Sequence, residues 1–87
     1  MSTFQLDIVT PESNVFSGEV QSVTVPGTQG SFQVLVNHAP IISTLGKGRL
    51  KFVKVGGEEV IFSVEDGVVE VLNNKAIVLV ERLAEVV

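Results

Sequence analysis

Along most of the chain, apolar and polar residues alternate with the two-residue period of a strand that buries one face. Phe4, Leu6 and Ile8 are separated by Gln5 and Asp7, which predicts a first strand. Thr10-Pro11-Glu12 ends it, because proline brings no N–H to a ladder. Val15 and Phe16 open a short second run that Ser17-Gly18 is expected to interrupt, and Val20, Val23 and Val25 carry a third, ended at Pro26-Gly27. Gly27-Thr28-Gln29-Gly30 is a turn, after which Phe32, Val34 and Val36 resume the alternation. Asn37-His38-Ala39-Pro40 breaks it again; proline at 40 holds Ala39 extended and forbids a helix start there. Ile41–Leu45 is a short apolar run closed by Gly46-Lys47-Gly48.

Residues 49–55 and 60–65 flank Gly56-Gly57-Glu58 and predict a hairpin. A two-residue Gly-Gly loop would put Leu50 and Phe52 on the face away from Phe62 and Val64. A three-residue loop instead pairs Phe52 with Phe62 and Leu50 with Val64, gathering four apolar side chains, so burial favours it. Asp66-Gly67 reads as another turn before residues 68–72. Asn73-Asn74 suits the positive φ of a tight hairpin before a last strand at 76–81. Residues 81–87 are the one stretch that could be helical, a turn or so at most. The expected architecture is all-β: a flattened β-sandwich of about ten short strands forming a single domain over residues 1–87.

Composition narrows the function. The 87 residues are 45% hydrophobic and 18% charged, which describes a packed globule rather than a disordered chain. No cysteine is present, so disulfides and thiolate metal sites are excluded. A net charge of −4 disfavours a nucleic-acid partner. No apolar run is long enough to span a bilayer, and the start MSTFQLD lacks a basic region and an apolar signal core, so no direct membrane insertion is expected.

Candidate chemistry is thin. His38 is the single histidine, and a zinc site needs three or four converging ligands; a loop or packing role is favoured for it over catalysis. No Gly-x-Ser-x-Gly elbow activates a serine. Glu58, Glu59, Glu65, Asp66 and Glu70 fall on turns and exposed strand positions, where acids are ordinarily solvated rather than catalytic. The Gly27–Gly30 spacing lacks the helices and basic surround of an RNA-binding loop, and Gly46-Lys47-Gly48 is no phosphate loop. No catalytic, metal or cofactor-binding residue is expected. Lys47, Arg49, Lys51 and Lys54 place four of the six positive charges within eight residues. Unbroken alternation would put the odd-numbered three on one face. Charge protecting a sheet edge or solvent face is the favoured reading; the alternative is a docking stripe for an acidic partner.

Leu6-Asp7-Ile8-Val9-Thr10-Pro11-Glu12 and Val15-Phe16-Ser17-Gly18-Glu19-Val20 resemble the opening of epsilon subunits of F-type ATP synthase. The match strengthens at residues 25–35 and at Asn37-His38-Ala39-Pro40-Ile41-Ile42, where His-Ala-Pro is the most specific element, and continues through residues 67–71 and 76–79. The resemblance implies a ten-stranded sandwich and a non-catalytic central-stalk subunit. Such a subunit links the gamma subunit to the c-subunit rotor ring, touches the catalytic head only indirectly, and helps couple proton-driven rotation to ATP synthesis. It also implies a peripheral location at the cytoplasmic face of the bacterial inner membrane. Thr10, His38 and Ser43 are then expected on the gamma side, and Gln29, Gly30 and Ser31 on the ring side. Ser31 stands where some relatives hold an acid, and Asn37 where glycine is often found. Typical members continue into a two-helix hairpin that restrains hydrolysis and, in some bacteria, binds ATP; the sequence stops at Val87 without one, so ATP binding is not expected. A generic β-sandwich adaptor and a small hydrolase remain the competing readings.

Overall fold

The computed structural model describes residues 2–86, all of them strand, turn or loop, with no helix among them. Seven strands follow one another: β1 (Phe4–Val9), β2 (Asn14–Val25), β3 (Phe32–Val34), β4 (Ile41–Leu45), β5 (Gly48–Lys54), β6 (Glu59–Leu72) and β7 (Lys75–Glu85). Three are long enough to serve both sides of a sandwich. The first layer runs from residues 14–20 of β2 through β1 and residues 75–80 of β7 to residues 67–72 of β6 and β4. The second runs from β3 through residues 20–25 of β2 and β5 to residues 59–65 of β6 and 82–85 of β7. Counted by halves, the strands give five segments per layer, in line with the about ten short strands expected.

Each crossing strand changes its inward parity where it changes layer. In β2 the even positions face the core up to Val20, the register shifts between Val20 and Ser22, and Val23 and Val25 then point inward. A bulge does this by adding one residue to one strand. In β6 the inward set passes from Val64 to Val69 and Val71 across Asp66, whose φ is 54°. In β7 it passes from Val80 to Leu83, which packs against the core. Between the layers Leu6, Ile8, Val20, Val69 and Val78 meet Val23, Val34, Leu50, Phe52 and Val64 in one cluster. Each such side chain contributes about 1.5–3 kcal/mol when fully buried.

Several local expectations are corrected. Ser17-Gly18 does not interrupt β2: Gly18 pairs with Leu6 in register, and its missing side chain leaves room for the Phe16 ring, 3.2 Å from where a Cβ would sit. The 49–65 hairpin has a three-residue loop, but the loop is Val55-Gly56-Gly57, closed by the Lys54 N–H donating to the Glu58 carbonyl (2.8 Å). Leu50 therefore pairs with Phe62 and Phe52 with Val60, two residues from the expected register. A shift of two preserves the buried face, and both Gly56 (φ 100°) and Gly57 (φ 97°) take the left-handed conformations that placed the turn. Asp66-Gly67 is a corner inside β6, not a turn between strands. Residues 81–85 extend β7 instead of turning helical, because residues 62–65 of β6 offer them a ladder; Val87 lies outside the described residues. Asn73 (φ 51°) and Asn74 (φ 59°) form the tight hairpin expected of them.

Candidate docking surface

In the first layer Ile8, Val78 and Val69 are buried, so their neighbours along each strand point away from the core. Val9, Leu79, Val68 and Thr44 form one row across that outer face, and Asp7, Ile77, Glu70 and Ile42 the next. Ile42 is 71% exposed and Leu79 47%. The result is an apolar row of Val9, Leu79 and Val68 on a sheet whose inner face is already buried. In the flanking row Ile77 and Ile42 alternate with Asp7 and Glu70. A cavity of about 490 Å³ opens at the end of this face, lined by Val9, Thr10, Pro11, Val68 and Leu79 together with Asp66 and Glu81.

The expected gamma-side residues do not form one cluster: Thr10 and His38 lie near opposite ends of the layer, and Ser43, paired with buried Val69, turns to the inner side of β4. Thr10 lies on the cavity rim, where its N–H donates to the Ser13 carbonyl (2.9 Å) and the Ser13 N–H donates back (3.3 Å). Ser43 is half-buried on β4, paired with Val69, and its hydroxyl donates to the Thr44 carbonyl (3.2 Å). His38 sits at the other end of the layer, in the loop before β4, with its ring centroid 6.5 Å from that of Phe32. Its Nδ1–H donates to the Ala39 carbonyl (2.7 Å), which fixes the tautomer. Asn37 takes φ 64°, a value open to asparagine as well as glycine. Its N–H donates to Asn74 Oδ1 (2.6 Å) and Asn74 Nδ2 donates to Asn37 Oδ1 (3.0 Å), latching the His38 loop to the β6–β7 hairpin.

Gln29, Gly30 and Ser31 are all exposed at the tip of the β2–β3 loop. The loop is closed by the Gly30 N–H donating to the Gly27 carbonyl (2.9 Å), and tied to β4 by the Thr28 N–H donating to the Thr44 carbonyl (3.0 Å). Among the described residues no three His, Cys, Asp or Glu side chains come close enough to hold a metal.

Asp7 carries the polar network of the apolar face. The Ser17 hydroxyl (2.7 Å) and Gln5 Nε2 (3.0 Å) donate to Oδ1, and Lys75 Nζ lies 3.8 Å from Oδ2. The Ser17 and Gln5 hydrogen bonds, with a smaller part from Lys75, hold its carboxyl below the ordinary 3.8 against the opposing effect of burial. A depressed folded-state pKa stabilises the fold above the unfolded value and ceases to do so as pH falls through the folded one. The expected outcome is an Asp7 carboxyl titration, followed by NMR, with its midpoint below 3.8. Ser17→Ala should raise that midpoint and bring acid unfolding to higher pH; an unmoved midpoint would remove Ser17 as the main cause.

The outward apolar residues Val9, Ile42, Val68, Ile77 and Leu79 were missed as candidates because alternation assigns any apolar strand residue to a core. A signal existed: Val68-Val69 and Ile77-Val78-Leu79-Val80 are runs without alternation, as in strands covered on both faces.

The chain is a β-sandwich with a packed interior and large apolar residues exposed on one outer sheet face, a feature that in general marks interaction surfaces. The family described as “ATP synthase, Delta/Epsilon chain, beta-sandwich domain” matches residues 3–86, and the chain belongs to that family. It is 46% identical over 81 residues to the ATP synthase epsilon chain of Chlorobium limicola, covering 93% of this chain and 92% of that one. The epsilon chain of Dichelobacter nodosus is 40% identical over 85 residues, and there the chain spans 59% of the relative's length. Among solved structures, a chain of the Euglena gracilis mitochondrial ATP synthase (OSCP/F1/c-ring) superposes with a TM-score of 0.91 at 16% identity, covering 98% of this chain and 54% of that one. A chain of the Tetrahymena thermophila central stalk/c-ring structure gives 0.78 at 18%, covering 93% and 65%. These two structural likenesses speak for the fold.

Proposed function

We propose that this chain is a non-catalytic central-stalk subunit that links the gamma subunit to the c-subunit rotor ring, and so couples proton-driven rotation to ATP synthesis. The observation that carries this reading is the apolar outer face of the first layer, in a chain whose relatives are ATP synthase epsilon chains. Gamma would cover the face from Val9 to Ile42, with Thr10 and His38 near its ends and Ser43 reached from the open edge of β4. The Gln29–Gly30–Ser31 loop would face the ring. The chain would act peripherally at the cytoplasmic face of the membrane and would not bind ATP.

The test is calorimetric titration of this chain with purified gamma. Buried apolar anchors dominate such interfaces, so Leu79→Asp with Ile42→Asp should weaken binding about 30-fold or more, with an unchanged melting temperature. His38→Ala with Ser43→Ala should weaken it less. The Asn73-Asn74 turn is no neutral control, because Asn74 holds the His38 loop. Gly56→Ala at the β5–β6 tip serves instead and should leave affinity unchanged. Full-strength binding by the Leu79→Asp/Ile42→Asp variant would sink the proposal, as would stoichiometric ATP binding by the wild-type chain.

A further inference from the structure

The opposite face of the sandwich has a different character. Leu50 and Phe52 are buried, so Arg49 and Lys51 point outward from β5. Leu83 packs on the core, so Arg82 points outward from β7. Arg49 lies in a row with Ser63 and Ala84, and Lys51 in a row with Thr24 and Ile61. Lys47 stands at the bend leading into β5.

Charge on a sheet edge or solvent face was the favoured explanation for this cluster; the topology removes the edge and leaves the solvent face. β5 pairs with β2 on one side and β6 on the other, so it exposes no edge to protect. Nor are these cations neutralised. Among the described residues the ion pairs are Lys54–Glu58 (3.8 Å) and Lys75–Asp7 (3.8 Å). Lys54 leaves the stripe, since its ammonium also sits 5.9 Å above the Phe16 ring. Arg82 faces Glu65 across the β6–β7 ladder without an ion pair, and Glu59 is the other acid along this stretch of β6. A chain with ten acids and six bases thus leaves Lys47, Arg49, Lys51 and Arg82 unpaired on one side. Clustered like charges repel at this spacing, a cost that a complementary anionic surface reverses.

We propose that this outer face of the second layer is a docking surface for an acidic segment of another polypeptide. The span from Lys47 to Lys51 is about 13 Å of extended chain, the reach of a few residues rather than of an extended anionic surface. The protein's net charge of −4 opposes approach to a bilayer or nucleic acid, whereas a short segment meets only the local cations. Thr24 and Ser63 supply neutral hydrogen-bonding groups between the charges, and Ile61 an apolar contact. Arg49 and Lys51 lie on the opposite side of the sandwich from the apolar face, while Arg82 stands at the border, lining a cavity with Thr10, Glu12 and Glu81.

The experiment is an amide-shift NMR titration of the full chain with a short oligoglutamate peptide, at low and physiological salt. Shifts should concentrate on β5 and the facing parts of β2, β6 and β7, and weaken with salt. Arg49→Gln with Lys51→Gln and Arg82→Gln should lower affinity about ten-fold. Lys54→Gln with Lys75→Gln, which removes as much charge as two of those substitutions, should leave it within about two-fold. Scattered shifts, or equal losses in both variants, overturn the proposal. Tighter binding to phosphatidylglycerol vesicles than to the peptide reassigns the face to lipid. A salt-sensitive dimer in ultracentrifugation, lost on Arg49→Gln, reassigns it to a second copy; either result also overturns the polypeptide reading.

Discussion

Phe52→Ala is expected to lower the unfolding free energy by about 3–5 kcal/mol, the range for emptying a buried aromatic site. Phe52 is 1% exposed and the largest of the fully buried side chains. Its ring centroid lies 4.5 Å from that of Phe16 and 6.2 Å from that of Phe62. The Phe16 contact joins the two layers, since Phe16 stands on the half of β2 paired with β1. Truncation therefore leaves a cavity between sheets held apart by their neighbours, which cannot close by moving one side chain. Phe62 is only half-buried, so Phe62→Ala should cost roughly half as much. Denaturant melts of the two variants check both values. A loss below about 1 kcal/mol for Phe52→Ala would mean the site is not the packed centre described here.

The all-β class, most strand positions and the Asn-Asn hairpin were legible because alternation and turn chemistry are local. What alternation alone could not supply was where a strand changes layer. The cue lies in odd spacings between inward residues: Val20 to Val23, Val64 to Val69, Val80 to Leu83. Read with strict alternation, the β6 slip looks like a turn at Asp66-Gly67 and the β7 slip like the end of a strand. The β2 slip, inside the run from Val20 to Val25, passes unnoticed. The hairpin register was reached through burial, which distinguishes odd from even shifts but not a shift of two. Leu50 opposite Phe62 and Leu50 opposite Val64 bury the same face, so the choice fell to glycine conformation at 56 and 57.

The candidate surface was less legible than the fold. Thr10, His38 and Ser43 entered through resemblance, and no motif marks the apolar residues of the outer face. Ile42 and Ile41 are the same residue type side by side, yet one is 71% exposed and the other packs against the core. Only the register of β4 against β6 separates them. The cationic face shows the same division: the charge cluster is plain in the sequence, but β5's interior place in its layer is a long-range property of pairing with β2 and β6.

That pairing logic also identifies the backbone position least tolerant of a side chain. Gly67→Ala is expected to destabilise the fold by about 3 kcal/mol, the upper end of ordinary overpacking. Gly67 lies at the corner where β6 leaves β5 for β4 while staying paired with β7, opposite Val80. A Cβ there would collide with the Leu79 carbonyl oxygen and come within 2.6 Å of Val80 Cγ1 and 3.1 Å of Val80 Cα. Two of those atoms are backbone, so no rotamer change relieves the clash; β7 must move. Gly56→Ala provides the contrast, because at φ 100° nothing lies within 4 Å of its added Cβ. Its cost is conformational alone, about 1–2 kcal/mol. Displacing β7 at Leu79 and Val80 also disturbs the outer row of Val9, Leu79 and Val68, so Gly67→Ala should weaken binding to gamma while Gly56→Ala does not. Melting curves and calorimetry on the two variants separate these effects. Equal stability losses, or undiminished gamma binding by a folded Gly67→Ala chain, would show that the β6–β7 corner is more compliant than its packing implies.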